Sequence, residues 1–112
     1  MTVQRWSENI LLADLQDDPA FSDDVSSLSD QVAADPNLDV ILDFAQITYL
    51  NSSNIAKLLK LRKTICVNNR HKLRLCGVST HVWGVFLVTG LEKVFEFADN
   101  VAMGLTGVQI EE

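Results

Sequence analysis

Apolar positions repeat along the chain with two different periods, which predict alternating strands and helices. Residues 3–6 and 10–15 flank a polar turn at residues 7–9 and predict two short strands. The third predicted strand, Asp39–Phe44, has a continuous apolar centre, which is typical of a strand buried on both faces. Two more stretches predict the last strands, at Leu73–Val78 and Val94–Phe97.

Between these strands, apolar residues recur at spacings of three and four, and this spacing predicts helices. Pro19 suits the start of the first helix, and residues 34–37, Ala-Asp-Pro-Asn, end it. The apolar positions of this helix are Phe21, Val25, Leu28, Val32 and Ala33. Ser79 is expected to cap a short apolar helix that stops at residues 89–90. The final helix is predicted over Asp99–Leu105.

The longest predicted helix follows the buried strand and runs from about Ser53 to Val67. Its predicted buried residues are Ile55, Leu58, Leu59, Ile65 and Cys66. The opposite face carries three lysines: Lys57, Lys60 and Lys63. Strands that alternate with helices across short links predict an α/β fold, with a mixed, mostly parallel sheet of four to five strands and about four helices. A chain of 112 residues is expected to form one domain over residues 1–112.

Charge is distributed unevenly along the chain, whose net charge is −6. Residues 1–43 carry ten acids and one base, residues 44–91 carry seven bases and no acid, and residues 92–112 carry five acids and one base. The basic block is either a solvated face or a surface that attracts anions or docks a partner. The acidic total argues against nucleic-acid binding, and the basic block lacks the aromatic platforms that single strands stack on.

Several protein classes are excluded by what the sequence lacks. Its longest strongly apolar stretch, residues 82–91, is shorter than the roughly 20 residues that span a bilayer, so no membrane insertion is predicted. The polar N-terminus lacks the apolar run of a secretory signal. Cys66 and Cys76 have no C-x-x-C spacing and are expected to be reduced core residues. We therefore expect a cytoplasmic protein.

Most chemical motifs are absent as well. The sequence contains no nucleophile elbow, no phosphate-binding loop and no dinucleotide fingerprint. His71 and His81 are isolated, so we predict no metal, no cofactor and no catalytic residues. One segment remains, residues 49–55, which reads Tyr-Leu-Asn-Ser-Ser-Asn-Ile at the start of the basic helix. Asn and Ser cap helix starts, but a helix start also tolerates an added phosphate.

Four segments, in this order and spacing, resemble the STAS family, which includes bacterial anti-sigma factor antagonists and the cytoplasmic tails of sulfate transporters. The first segment is Val40-Ile-Leu-Asp-Phe, and the second is residues 49–55. The third is Leu73-Arg-Leu-Cys-Gly-Val-Ser, and the fourth is Thr89-Gly-Leu-Glu-Lys-Val-Phe. In the second segment, Asn51 and Asn54 stand where the family pattern has Asp and Gly.

The resemblance implies a phosphorylation-controlled binding module in transcription regulation rather than an enzyme. In the family, a serine kinase that is itself the anti-sigma factor phosphorylates the first serine of the pair, and the unphosphorylated form binds that kinase. The matching residue here is Ser52, with Ser53 beside it as the helix cap. The implied switch-loop and partner-binding residues are Asn51, Ser53, Asn54, Lys57 and Lys60.

Two other interpretations stay open. In the first, the chain is a STAS scaffold subunit that uses its basic face to join a larger assembly, such as a stressosome-like or lipid-transport complex. In the second, the chain binds a small ligand or nucleotide at residues 52–54. Under the switch interpretation, a phosphate at Ser52 is expected to place the first negative charge between Phe44 and Leu91.

Overall fold

The computed structural model describes residues 1–111, with side chains through Val108. Five strands form one sheet in the order β1-β2-β3-β4-β5. They are β1 (Thr2–Ser7), β2 (Ile10–Gln16), β3 (Asp39–Gln46), β4 (Leu73–Cys76) and β5 (Glu96–Ala98). Strand β1 pairs antiparallel with β2, and every other neighbouring pair is parallel. The predicted α/β class with a mostly parallel sheet is confirmed.

Four α-helices accompany the strands, as predicted. They are α1 (Ala20–Ala34), α2 (Ser52–Arg62), α3 (Thr80–Thr89) and α4 (Val101–Glu111). A π-helical segment, Lys63–Asn68, continues α2, and a 3₁₀ turn, Leu91–Lys93, precedes β5. Helix α4 extends beyond its predicted end at Leu105, because burial of Leu105 and Val108 against the sheet stabilises its later turns.

Two cores lie on the two faces of the sheet. Helices α1, α2 and α3 pack on one face, where Leu42, Phe44 and Phe86 are completely buried. Helix α4 covers part of the other face. Its smaller core consists of Ile10, Ile41, Cys76, Leu105 and Val108. Strand β3 contributes to both cores, as its continuous apolar run predicts.

The buried stripe of α2 differs from the predicted one. Leu58 and Ile65 are buried as expected, but Leu59 is exposed, and Leu61, which was not predicted, is fully buried. Successive helix residues are rotated by about 100°, so positions 58, 61 and 65 share one stripe and position 59 lies outside it. Ile55 and Cys66, the other predicted positions, are half-buried. On α1, Ala33 is exposed for the same reason.

The parallel strands β2 to β5 all point to the same edge of the sheet, which we call the carboxyl edge. It carries the residues that follow each strand: 17–19 after β2, 47–51 after β3, 77–79 after β4 and 99–100 after β5. Neighbouring strand ends lie about 4.8 Å apart, so these four segments are brought together although they are distant in sequence. Ligands and partners of open α/β sheets bind at this edge.

Candidate functional site

Ser52 is the first residue of α2 and lies on the carboxyl edge. Its side chain is exposed, and so is that of Ser53. Within the part of the chain that the structure describes, neither hydroxyl makes a hydrogen bond. Both serines are therefore accessible, and neither holds the helix start together.

The cap of α2 is made by two asparagines instead. The Asn54 backbone N–H donates to Asn51 Oδ1 at 2.8 Å, and the Asn51 backbone N–H donates to Asn54 Oδ1 at 3.1 Å. This reciprocal pair is a capping box, which satisfies two backbone donors at the helix start. The prediction that Ser53 is the cap is wrong, because Ser53 already lies inside the helix while Asn51 has the extended backbone of a capping residue.

Asn54 also ties α2 to the start of α1. Its side chain is 1% exposed, and its Nδ2 donates to Asp18 Oδ2 at 2.8 Å. The other carboxylate oxygen of Asp18 accepts from Ser22, at 2.9 Å from the backbone N–H and 2.8 Å from the hydroxyl. Asn51 Nδ2 adds a longer bond to Asp18 at 3.4 Å. We call this group, Asp18, Ser22, Asn51 and Asn54, the Asp18 clasp.

The clasp favours the ionised form of Asp18. Hydrogen bonds from Asn54 and Ser22 hold the pKa of Asp18 below its ordinary value of 3.8. Because the pKa is lower in the folded protein, the carboxylate stabilises the fold at pH values above 3.8, and this stabilisation is lost as the pH falls through the lowered pKa. The clasp is therefore fully formed at neutral pH.

Asp17 supports the segment that leads into the serines. Its carboxylate accepts from the Thr48 backbone N–H at 2.8 Å and from the Thr48 hydroxyl. Burial raises the pKa of Asp17, but the hydrogen bonds from Thr48 and from the backbone of Tyr49 outweigh that effect and lower it. Two consecutive aspartates thus fix residues 48–54 on the carboxyl edge.

The sequence interpretation missed Asp17 and Asp18, although a signal was present. Both follow β2 directly, and β2 runs parallel to β3, so their side chains reach the same edge as residues 51–54. This contact adds a negatively charged neighbour that the charge pattern along residues 44–91 does not show. A phosphate at Ser52 does not enter a surface free of acids, because Asp18 bonds to the residues on both sides of the serine pair.

The predicted lysine face is partly engaged with α1. Lys57 is half-buried, and its Nζ donates to the Ser26 hydroxyl at 3.2 Å. Together with residues of α1, Lys57 and Lys60 line a cleft of about 140 Å³. Lys60 is exposed and lies on the helix that begins at Ser52. Of the two lysines predicted to bind a partner, Lys60 is thus the more accessible.

Other reactive side chains lie away from the serines. His71, which is isolated in the sequence, places Nδ1 at 2.9 Å from Asp39 Oδ1 at the opposite edge of the sheet. Burial raises the pKa of the Cys66 thiol, and it raises that of Cys76 to about 11, so both thiols are protonated at neutral pH. Among the side chains that the structure describes, those of residues 1–108, no three from His, Cys, Asp or Glu are grouped so as to hold a metal ion.

Comparison with known proteins identifies the family. The model of the STAS domain matches residues 19–104, and the chain belongs to the STAS family. No curated protein sequence matches the chain significantly. Across the described helices, none combines the length and apolar character needed to cross a membrane. The match to the family model confirms the resemblance drawn from the four sequence segments.

Solved structures with the same fold include regulatory proteins. An anti-sigma-factor antagonist (STAS) domain protein from Planctomyces limnophilus is 18% identical, with a TM-score of 0.78 over 96% of this chain and 97% of that one. A variant of Moorella thermoacetica RsbS is 12% identical, with a TM-score of 0.81 over 96% and 93%. A chain of the stressosome, a signal integration and transduction hub, is 12% identical, with a TM-score of 0.75 over 96% of each chain. At such identities, the similarity establishes the fold alone.

Proposed function

We propose that this STAS protein is a phosphorylation-regulated protein-interaction module that resembles an anti-sigma factor antagonist and is switched at Ser52. It works in the bacterial cytoplasm, binds a serine-kinase anti-sigma factor, and thereby regulates transcription without catalysing a reaction itself. The observation that carries the proposal is the accessibility of Ser52 at the start of a helix that other residues cap and anchor.

Phosphorylation at Ser52 is compatible with the fold. The Ser52 hydroxyl makes no hydrogen bond with the described residues, so modifying it removes no contact from the capping box. The positive end of the helix dipole stabilises a phosphate by about 0.3–1 kcal/mol. Asp18, which bonds to both neighbouring asparagines, opposes it through like-charge repulsion. The opposing effects leave the protein folded while its surface gains roughly two negative charges.

The surroundings of Ser52 suit a partner contact. Tyr49 is 41% exposed just before the serines, and tyrosine combines a large apolar area with a polar tip that suits interfaces. Lys60 is exposed on the same helix. A phosphate at Ser52 within such a contact must be desolvated next to Asp18, and both effects weaken binding. This arrangement supports a switch that releases the partner without unfolding the module.

Phosphate mapping tests the proposal. The protein is incubated with ATP and serine-kinase anti-sigma factors from its source cell, and the modified residue is located by peptide mass spectrometry. We expect phosphate on Ser52, loss of modification in Ser52→Ala, and retained modification in Ser53→Ala. Ser52→Asp is expected to weaken kinase binding by roughly tenfold or more, and Ser53→Asp by less. An unmodified Ser52 together with normal binding by Ser52→Asp contradicts the proposal.

A second candidate function is that of a non-switching scaffold subunit in a larger complex. It is supported by the fold shared with a stressosome chain and by the lysines beside α1. Pull-down with Lys57→Glu/Lys60→Glu tests this function, and we expect that charge reversal removes partners that Ser52→Asp retains. If the doubly reversed variant captures the same partners, the lysines form a solvated face and the scaffold role does not depend on them.

A further inference from the structure

A recess lies on the carboxyl edge beside β4, on the side that faces β5 rather than β3. It has a volume of about 260 Å³ and is formed by the link after β4, the first turn of α3 and the end of β5. The residues that line it are Val78, Trp83, Phe97, Ala98 and Asp99. None of the predicted site residues belongs to this group.

Four of the five lining residues have apolar side chains, and aromatic packing holds the two rings among them in place. The rings of Trp83 and Phe97 meet edge to face with centroids 4.9 Å apart, and Phe97 packs in the same way on the buried Phe86 at 5.1 Å. Trp83, Phe97 and Val78 are nevertheless only half-buried. Rigid aromatic walls of this kind form pockets for anchor side chains at protein interfaces.

Asp99 is the one charged residue that lines the recess, and it is exposed. With the side chains described through Val108, its carboxylate makes no hydrogen bond or ion pair. No Asp, Glu, Lys or Arg occurs from Leu75 to Leu91, so the α3 side of the recess offers no counter-charge. The recess therefore combines aromatic and aliphatic side chains with an uncompensated negative charge at its rim.

The starts of α3 and α4 beside the recess do not cancel the attraction of its negative rim for a cation. Helix starts attract anions through free N–H groups, but here capping side chains already bond to such groups. Ser79 Oγ accepts from the Val82 backbone N–H at 3.3 Å, and Asn100 Oδ1 accepts from the Met103 backbone N–H at 2.9 Å. With these donors engaged, the charge of Asp99 dominates the rim.

We propose that this recess binds an arginine side chain of a protein partner. The apolar part of the side chain lies against Val78 and Phe97, and the guanidinium stacks on Trp83 and bonds to Asp99. Arginine matches both features, because its methylene stem covers apolar surface and its planar head binds carboxylates through two parallel hydrogen bonds. This inference rests on the proposed function, because the protein that supplies the arginine is the partner proposed to dock on the same edge at Ser52.

A titration with N-acetyl-L-argininamide tests the recess without any partner. The chain has two tryptophans, and the second, Trp6, is exposed on β1, so the two indole N–H signals in a nitrogen-15 NMR spectrum provide a probe and an internal control. We expect the Trp83 signal to shift in a saturable manner while the Trp6 signal stays in place. Asp99→Asn is expected to weaken binding by roughly tenfold, and Asp99→Lys to abolish it. The matched control, Glu8→Lys, makes the same charge change at the opposite edge and leaves binding unchanged.

Two further probes distinguish the outcomes. N-acetyl-L-citrullinamide has nearly the same shape without the charge, so equal binding of this compound overturns the proposal, as does an unshifted Trp83 signal. Ser52→Asp is expected to bind argininamide as the parent protein does, since the recess is separated from Ser52 by the width of β4. Normal argininamide binding without phosphorylation of Ser52 therefore refutes only the switch, and phosphorylation without argininamide binding refutes only the arginine recess.

Discussion

The Asn54→Asp variant is expected to lose about 3 kcal/mol of unfolding free energy at neutral pH, because it buries a carboxylate without a cationic partner. In the parent protein, Asn54 is 1% exposed and its Nδ2 donates to Asp18 Oδ2 at 2.8 Å. The substitution replaces this donor with an oxygen, so two carboxylates face each other where a hydrogen bond existed. Urea unfolding of both proteins at pH 7 measures the loss.

The reversed pair tests the geometry of the Asp18 clasp. In Asp18→Asn/Asn54→Asp, the donor and the acceptor exchange places, and the new carboxylate at position 54 still accepts from the Asn51 backbone N–H. We expect the double variant to recover part of the lost stability, because it removes the repulsion between the two carboxylates but leaves a carboxylate at the buried position 54. Asn51→Asp is the matched control, because it makes the same chemical change at an exposed cap where Asp and Asn serve equally well, and we expect a much smaller loss.

Acid is expected to narrow the difference between Asn54→Asp and the parent. Facing carboxylates raise each other's affinity for protons, so one of them binds a proton as the pH falls toward the ordinary carboxyl range and then donates to the other. The variant thus gains stability relative to the parent between pH 7 and pH 5. A loss that is equal at both pH values, or a reversed pair no more stable than Asn54→Asp, contradicts the contact between positions 18 and 54.

The sequence predicted best those elements whose signal is local. The buried strand β3, the Ser79 cap and the end of α3 near Gly90 are each determined by a few consecutive residues, and the structure has all three. The capping residue of α2 was harder to predict, because Asn and Ser both cap helices. Only the extended backbone of Asn51 shows which residue is the cap. The stripe of α2 was misread at Leu59, since several apolar residues in a row allow more than one buried face.

The Asp18 clasp required knowledge of the fold. Asp18 and Asn54 are separated by 36 residues, and no periodicity connects them. They meet because β2 and β3 are parallel neighbours, which is a property of the whole sheet rather than of either segment. The same holds for the recess at Trp83 and Asp99, whose walls come from the link after β4, the first turn of α3 and the end of β5. Ser52 could therefore be singled out from its own segment, whereas its negatively charged surroundings also required the pairing of β2 with β3.

Close packing at Gly104 of α4 predicts a second large effect. A Cβ at this position would lie 2.5 Å from Cys76 Sγ, while its next contacts would be ordinary at 3.6 and 3.8 Å. Gly104→Ala is therefore expected to lower the unfolding free energy by about 1–3 kcal/mol through overpacking. Gly107→Ala on the same helix has nothing within 4 Å, so it is expected to raise stability by about 0.5–1 kcal/mol through the better helix propensity of alanine.

A double-mutant cycle separates the clash from a general effect on the helix. Cys76→Ala alone is expected to destabilise by leaving a small void under α4, since Cys76 is fully buried. In Cys76→Ala/Gly104→Ala, the new methyl group occupies the space that the sulfur vacates. The double variant should then be more stable than the sum of the single changes predicts, by about 1–2 kcal/mol in urea unfolding. Strict additivity would mean that α4 does not pack on β4 through these two residues, and that the second core is held differently.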